Sequence, residues 1–118
     1  MSTPRILNIK EFVKENLEQQ DNNQILIIST FDYLERIIDE SFTANWRLNY
    51  DRAKKCTHVV VISKSNYKKI VYSKIIGIIP SPYKKNRYQI HFSKCTPLKV
   101  KTSGIKLKFG EQPIWYLN

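Results

Sequence analysis

Four side chains in this 118-residue chain carry donor atoms suited to a transition metal: Cys56, His58, His91 and Cys95. The first two stand as C-x-H and the last two as H-x-x-x-C, so a Cys2His2 set can be drawn from them. Neither spacing is that of a finger, which pairs cysteine with cysteine and histidine with histidine. The expectation is therefore two reduced, partly buried thiols, no metal and no cofactor. Carboxylate chemistry has equally little to build on. After residue 50 the only acidic residues are Asp51 and Glu111, too few for a metal-dependent nuclease centre. There is no G-x-S-x-G elbow, P-loop or Rossmann glycine pattern. These absences point away from an enzyme.

The richer chemistry is cationic and aromatic. Residues 1–50 carry five basic and eight acidic side chains, whereas residues 51–118 carry fifteen basic and two acidic ones, for a formal net charge of +10. A one-sided positive field of this kind suits a polyanion, with nucleic acid first and an anionic surface or acidic protein second. Tyrosines stand among the bases: Tyr67 beside Lys68 and Lys69, Tyr83 beside Lys84 and Lys85, Tyr88 beside Arg87. Lysines neutralise phosphates and release counterions, while aromatic faces stack on unpaired bases. The candidate phosphate ligands are Lys64, Lys68, Lys69, Lys84, Lys85, Arg87, Lys99, Lys101, Lys106 and Lys108.

Elements to hold these residues follow from periodicity. In residues 9–20, Ile9, Phe12, Val13 and Leu17 recur at helical spacing, with Asn8 as N-cap. Residues 24–29 are a short apolar run that reads as a strand buried on both faces. Thr30 is placed to cap a second helix whose apolar stripe is Leu34, Ile37, Ile38 and Phe42. That helical segment runs on to Trp46. Asn49 can cap one further helical turn, and residues 58–63 make a second buried strand. Residues 70–79 form a long strand whose Gly77 marks a bulge, a barrel corner or a close backbone approach. In residues 87–92, Tyr88, Ile90 and Phe92 alternate with polar neighbours. Residues 97–102 and 105–109 alternate likewise, around Ser103 and Gly104, and predict an antiparallel hairpin that sets Lys99, Lys101, Lys106 and Lys108 on one solvent face. Residues 114–117 close the chain as a strand. The expectation is a single α+β domain: a small, curled, mixed β-barrel of about six strands with two helices near the N-terminus. Residues 1–22 are a helical extension and residues 24–118 are the barrel.

The order of these elements resembles the PUA-like superfamily, which contains PUA, ASCH, EVE and YTH domains, and is similar above all to small bacterial and phage EVE-like proteins. The likeness covers about residues 24–118. It is carried by the Ser-Thr end of the strand at 25–30, the W-x-x-x-x-x-x-A segment at 46–53 and the strand at 58–62. Gly77, the Arg-Tyr strand at 87–92 and the Q-P-I-W-Y-L-N end at 112–118 complete it. The resemblance implies a curled barrel with an aromatic slot for a modified or flipped base. By position, Ser29 and Thr30 fall at the slot floor, Trp46 at its wall, and Arg47 and Asn49 nearby. Tyr83, Tyr88 and Trp115 are the candidates for its second aromatic face.

The resulting expectation is a non-enzymatic, nucleic-acid-binding domain for DNA or RNA, with a basic face on phosphates and a slot for a base. The alternative is a protein-interaction scaffold in a bacterial defence or phage-host conflict system. No apolar run has the length of a membrane span and the N-terminus lacks a secretion signal, so a cytoplasmic address without membrane partners is expected.

Overall fold

The computed structural model of the protein describes residues 3–17 and 24–117. At its centre two strands lie parallel: β2 (Ile25–Thr30) and β4 (His58–Ser63), paired from Ile25 opposite His58 to Thr30 opposite Ser63. Parallel neighbours need a crossover. Here it holds α2 (Leu34–Glu40), β3 (Phe42–Trp46) and the single turn α3 (Tyr50–Ala53). The twelve-residue β5 (Lys69–Pro80) runs antiparallel to β4 through residues 70–74 and then pairs with β6 (Tyr88–Phe92) through residues 75–80. β3 adds to β6, β9 (Ile114–Leu117) adds to the free side of β2, and the two-residue β7 (Leu98–Lys99) lies beside the start of β5. The path is β3-β6-β5-β4-β2-β9, and its end strands are not hydrogen-bonded to each other. A separate two-stranded parallel sheet joins β1 (Arg5–Asn8) to β8 (Ile105–Lys108). The fold class is thus α+β, with nine strands and three helices among the described residues.

The period-2 geometry of strands explains the core. Ile25 and Ile27 of β2, with Val60 and Ile62 of β4, join a cluster with Leu7, Ile9, Phe12, Val13 and Leu107. Leu26 and Ile28, with Val59 and Val61, join an opposite cluster with Leu34, Ile37, Ala53, Ile90 and Phe92. Both central strands are therefore covered on both faces, as continuous β-branched runs require.

The first cover is α1 (Ile9–Asn16), started by a capping box. The Glu11 amide donates to Asn8 Oδ1 at 2.8 Å and the Asn8 amide donates back to Glu11 Oε1 at 3.3 Å. Its Ile9, Phe12 and Val13 are fully buried, so the N-terminal segment is part of the core and not an appendage. The helix ends at Asn16, and residues 18–20 of the expected helix lie outside the described residues, as do residues 21–23 of the break after it. Among the described residues no helix is long and apolar enough to cross a membrane.

Three sequence expectations need correction. Thr30 does not cap α2. It stays in β2, held by its ladder to β4, and its Oγ1 accepts from the Asp32 amide at 3.1 Å, while Tyr33 occupies the cap position. The segment leading to Trp46 is a strand and not helix. Ser41, at φ 57°, ends α2 in a left-handed turn, and the chain then pairs with β6 around a bulge at Asn45, φ 54°. The lysine hairpin does not form either. Residues 98–99 pair with β5, and residues 105–108 pair in parallel with β1, where Leu107 meets Leu7 in the α1 cluster. Alternation says which side chains share a face, not which strand is the neighbour. Of the three roles open to Gly77, the structure shows the bulge: the β5–β6 register shifts between Ile75 and Gly77, and, chain neighbours aside, no atom lies within 4 Å of where a Cβ would stand.

Candidate nucleic-acid interface

The turn between β4 and β5 is fixed by short polar side chains. Ser63 Oγ accepts from the amides of Ser65 and Asn66, and Asn66 Oδ1 accepts from the Lys68 amide, all at 3.2 Å. Lys64 and Lys68 therefore project from a turn with its own internal bonds. The register of β7 on β5 sets Lys69 directly opposite Lys99, and the Val100 amide donates to the Lys68 carbonyl at 3.0 Å. Residues opposite each other on neighbouring strands point to the same side, so two exposed lysines leave the sheet on one side there. Lys101 follows two residues on, its backbone N–H donating to Asn16 Oδ1 at 3.1 Å.

A second basic group lies at the other end of β5. Ser81 Oγ accepts from the amides of Tyr83 and Lys84 at 3.2 Å and donates to Asn45 Oδ1. The Ser81 amide closes the loop on the Arg87 carbonyl at 2.8 Å. This loop presents Lys84 and Lys85 to solvent, with Arg87 half-buried. At ~3.3 Å per residue the strand separates the two groups by roughly 35 Å. Lys106 and Lys108 are exposed on β8 in the small sheet. The ten candidate phosphate ligands thus occupy three regions. Among the described residues none of the ten is in an ion pair; the cations so engaged are Arg5, Arg36 and Lys54.

The residues proposed for a base slot are not gathered around one. Trp46 is half-buried against the α2-side cluster, and its indole Nε1 donates to the Thr43 hydroxyl at 2.8 Å. Trp115 packs against the opposite, α1-side cluster, so the sheet lies between the two indoles. Ser29 and Thr30 are buried, at 1% and 5% exposure. Arg47 and Asn49 line a cavity of about 330 Å³ with Pro113, Ile114 and Tyr116. Asn49 is engaged there: its side chain caps α3 through the Arg52 amide (3.1 Å), and its own amide donates to Tyr116 Oη (3.0 Å). The Arg52 guanidinium sits 4.2 Å above the Tyr116 ring, whose hydroxyl is pushed upward in pKa by burial, against the opposing Asn49 bond and Arg52 charge. Tyr88 stacks on Tyr50 at 5.4 Å, and Tyr67 meets Phe12 and Phe109 edge-on inside the core. Only Tyr83 stands free, 83% exposed, at a different cavity beside Asp32, Arg36 and Glu40.

The potential metal donors are likewise used in packing. His91 stacks on Phe42 and bonds Gln89 at 3.0 Å; His58 stacks on Tyr72 with Nδ1 2.9 Å from Thr57 Oγ1. Burial pushes the Cys56 thiol up to about 11 despite nearby Arg52, and raises Cys95 despite a Ser73 hydrogen bond. Among the described residues no group of three or more metal-ligating side chains converges.

Two further rings that sequence reasoning passed over are also open to solvent. Phe31 and Tyr33, in the loop after β2, are 73% and 79% exposed. With the helix cap expected at Thr30 and the apolar stripe at Leu34, Ile37, Ile38 and Phe42, neither ring is assigned a role. The helix begins only at Leu34, which leaves both rings outside it. No protein-family model, curated protein or solved structure matches the chain.

Proposed function

We propose that this protein is a non-enzymatic nucleic-acid-binding domain. The observation that carries the reading is the Lys69–Lys99 pair, two exposed like charges fixed opposite each other and flanked by Lys64, Lys68 and Lys101. Like charges directly opposite on a sheet cost stability. A row of phosphates relieves that repulsion, and its condensed counterions are released on contact. The finer reading, a sheet curled toward a PUA-like, EVE-like barrel, rests on the order of motifs. The bulge that bends β5 between its β4 and β6 partners supports it. The base-binding part of that reading moves away from Trp46, which is hydrogen-bonded and packed.

Fluorescence anisotropy with labelled oligonucleotides tests the proposal. If Lys64, Lys68, Lys69 and Lys99 each neutralise one phosphate, log K falls against log salt with a slope of about −3, from roughly −0.7 per contact on a single strand. Each lysine-to-alanine change then flattens the slope by about 0.7. No binding to any oligonucleotide at low salt, together with a stoichiometric protein partner that survives nuclease treatment, would replace this reading with that of a protein-interaction scaffold.

A further inference from the structure

We propose that the carboxyl ends of β2 and β4 form a stacking platform for single-stranded nucleic acid, with Phe31 and Tyr33 as its base-contacting rings. The inference rests on the nucleic-acid reading above and names its substrate class and its site. β2 and β4 are the parallel pair of the main sheet, so both strands end at the same place, Thr30 beside Ser63. The Lys64 amide donates to the Thr30 carbonyl at 2.8 Å and locks the two following loops together. One loop carries Phe31 and Tyr33; the other carries Lys64 and Lys68 and runs into Lys69.

The cations and rings are adjacent in space. Lys64 Nζ lies 4.9 Å from the centre of the Phe31 ring. Tyr33 and Lys69 line one concavity of about 340 Å³ with Ser65, Asn66 and Pro97, and Lys69 faces Lys99 across the ladder. Large rings this exposed are costly to leave in water, and a solitary one needs no explanation. Two within three residues, beside four lysines, match what a flexible polyanion with planar side groups requires: faces for bases and ammonium groups for phosphates. A duplex hides its base faces inside the stack and can use only the lysines. Glu35, on the rim of the concavity, accepts hydrogen bonds only and so faces a base amino group better than a phosphate.

The test compares three oligonucleotides of equal length at one salt concentration: a single strand, its duplex, and an abasic strand with the same phosphates. The full chain is expected to bind the single strand most tightly. Phe31→Ala and Tyr33→Ala should each weaken that binding by about tenfold, within the range of ~1–3 kcal/mol per stacked base. Both variants should leave duplex and abasic binding unchanged, and Phe31→Trp should retain single-strand affinity. Parallel DNA and RNA strands show which sugar is preferred. Equal affinity for all three ligands, or alanine variants that bind the single strand like the parent, would overturn the platform while leaving the electrostatic reading intact. Failure to bind any of the three would overturn both. Circular dichroism melts of the variants separate lost contacts from lost folding.

Discussion

At the scale of single residues, exposure divides the aromatics more sharply than sequence neighbours do. Tyr67 sits among lysines in the chain, yet its ring closes the core against Phe12 and Phe109. Phe31 and Tyr33 sit beside an apolar run, yet face solvent. The thiol of Cys56 gives a residue-scale prediction. Its folded-state pKa, near 11, lies above the ordinary 9.0 because burial disfavours the thiolate. The unfolded chain therefore ionises first, and stability falls as pH rises from about 9 to about 11. Urea midpoints across that interval should drop less steeply for Cys56→Ala than for the parent; parallel slopes would mean the thiol does not contribute. The candidate site was only partly legible for a related reason. Basic residues announce themselves by type, and all ten candidates, nine lysines and Arg87, stay clear of ion pairs among the described residues. Whether a ring faces solvent or the core depends on where a helix starts, and α2, with Tyr33 at its cap, starts too late to include Phe31.

At the scale of elements, strands with uniform apolar sequence were read with their bounds nearly intact: residues 58–63 are β4, and the glycine in 70–79 marks the bulge in β5. The Asn49 cap of α3 and the Asn8 cap of α1 were legible because capping is local chemistry, whereas the reciprocal Glu11 bond at Asn8 emerged only in the structure. Pairing was not legible. Residues 98–99 and 105–108 have the alternation of a hairpin but find different partners, β5 and β1. That misassignment matters, because it is the β5–β7 ladder that creates the Lys69–Lys99 pair. Lys99→Glu should raise stability by about 0.2–1 kcal/mol, as an opposite-charge cross-strand pair does, while weakening oligonucleotide binding. Thermal melts and anisotropy should move in opposite directions; joint loss of both would show that Lys99 matters to folding and not to the ligand.

At the scale of the whole molecule, two apolar layers enclose one pair of strands. The α1-side layer is drawn from the N-terminal strand and helix, the central strands and the late β8 and β9. Phe12 is a fully buried member of it, so its removal leaves a cavity in packed surroundings. Phe12→Ala should cost about 3–5 kcal/mol, the range for a large aromatic replaced in a packed core, measured by urea denaturation. A cost below about 1 kcal/mol would mean that α1 adds little to the stability of the sheet. The charge asymmetry belongs to this scale as well, since the positive half of the chain supplies β4 to β9 and the negative half supplies the helices α1 and α2.

The position of β9 has a consequence for how the chain is made. β2 occupies residues 25–30, but one of its two edges is covered only when residues 114–117 arrive. β1 waits in the same way for residues 105–108. During synthesis, a strand of four consecutive large aliphatic residues, Ile25 to Ile28, is exported long before its last neighbour exists. Unpaired apolar edges are templates for aggregation, and pairings distant in sequence close slowly. Nascent chains halted short of residue 114 should therefore engage a chaperone or precipitate, and protease resistance should develop in one late step, once residues 114–117 have cleared the ribosome.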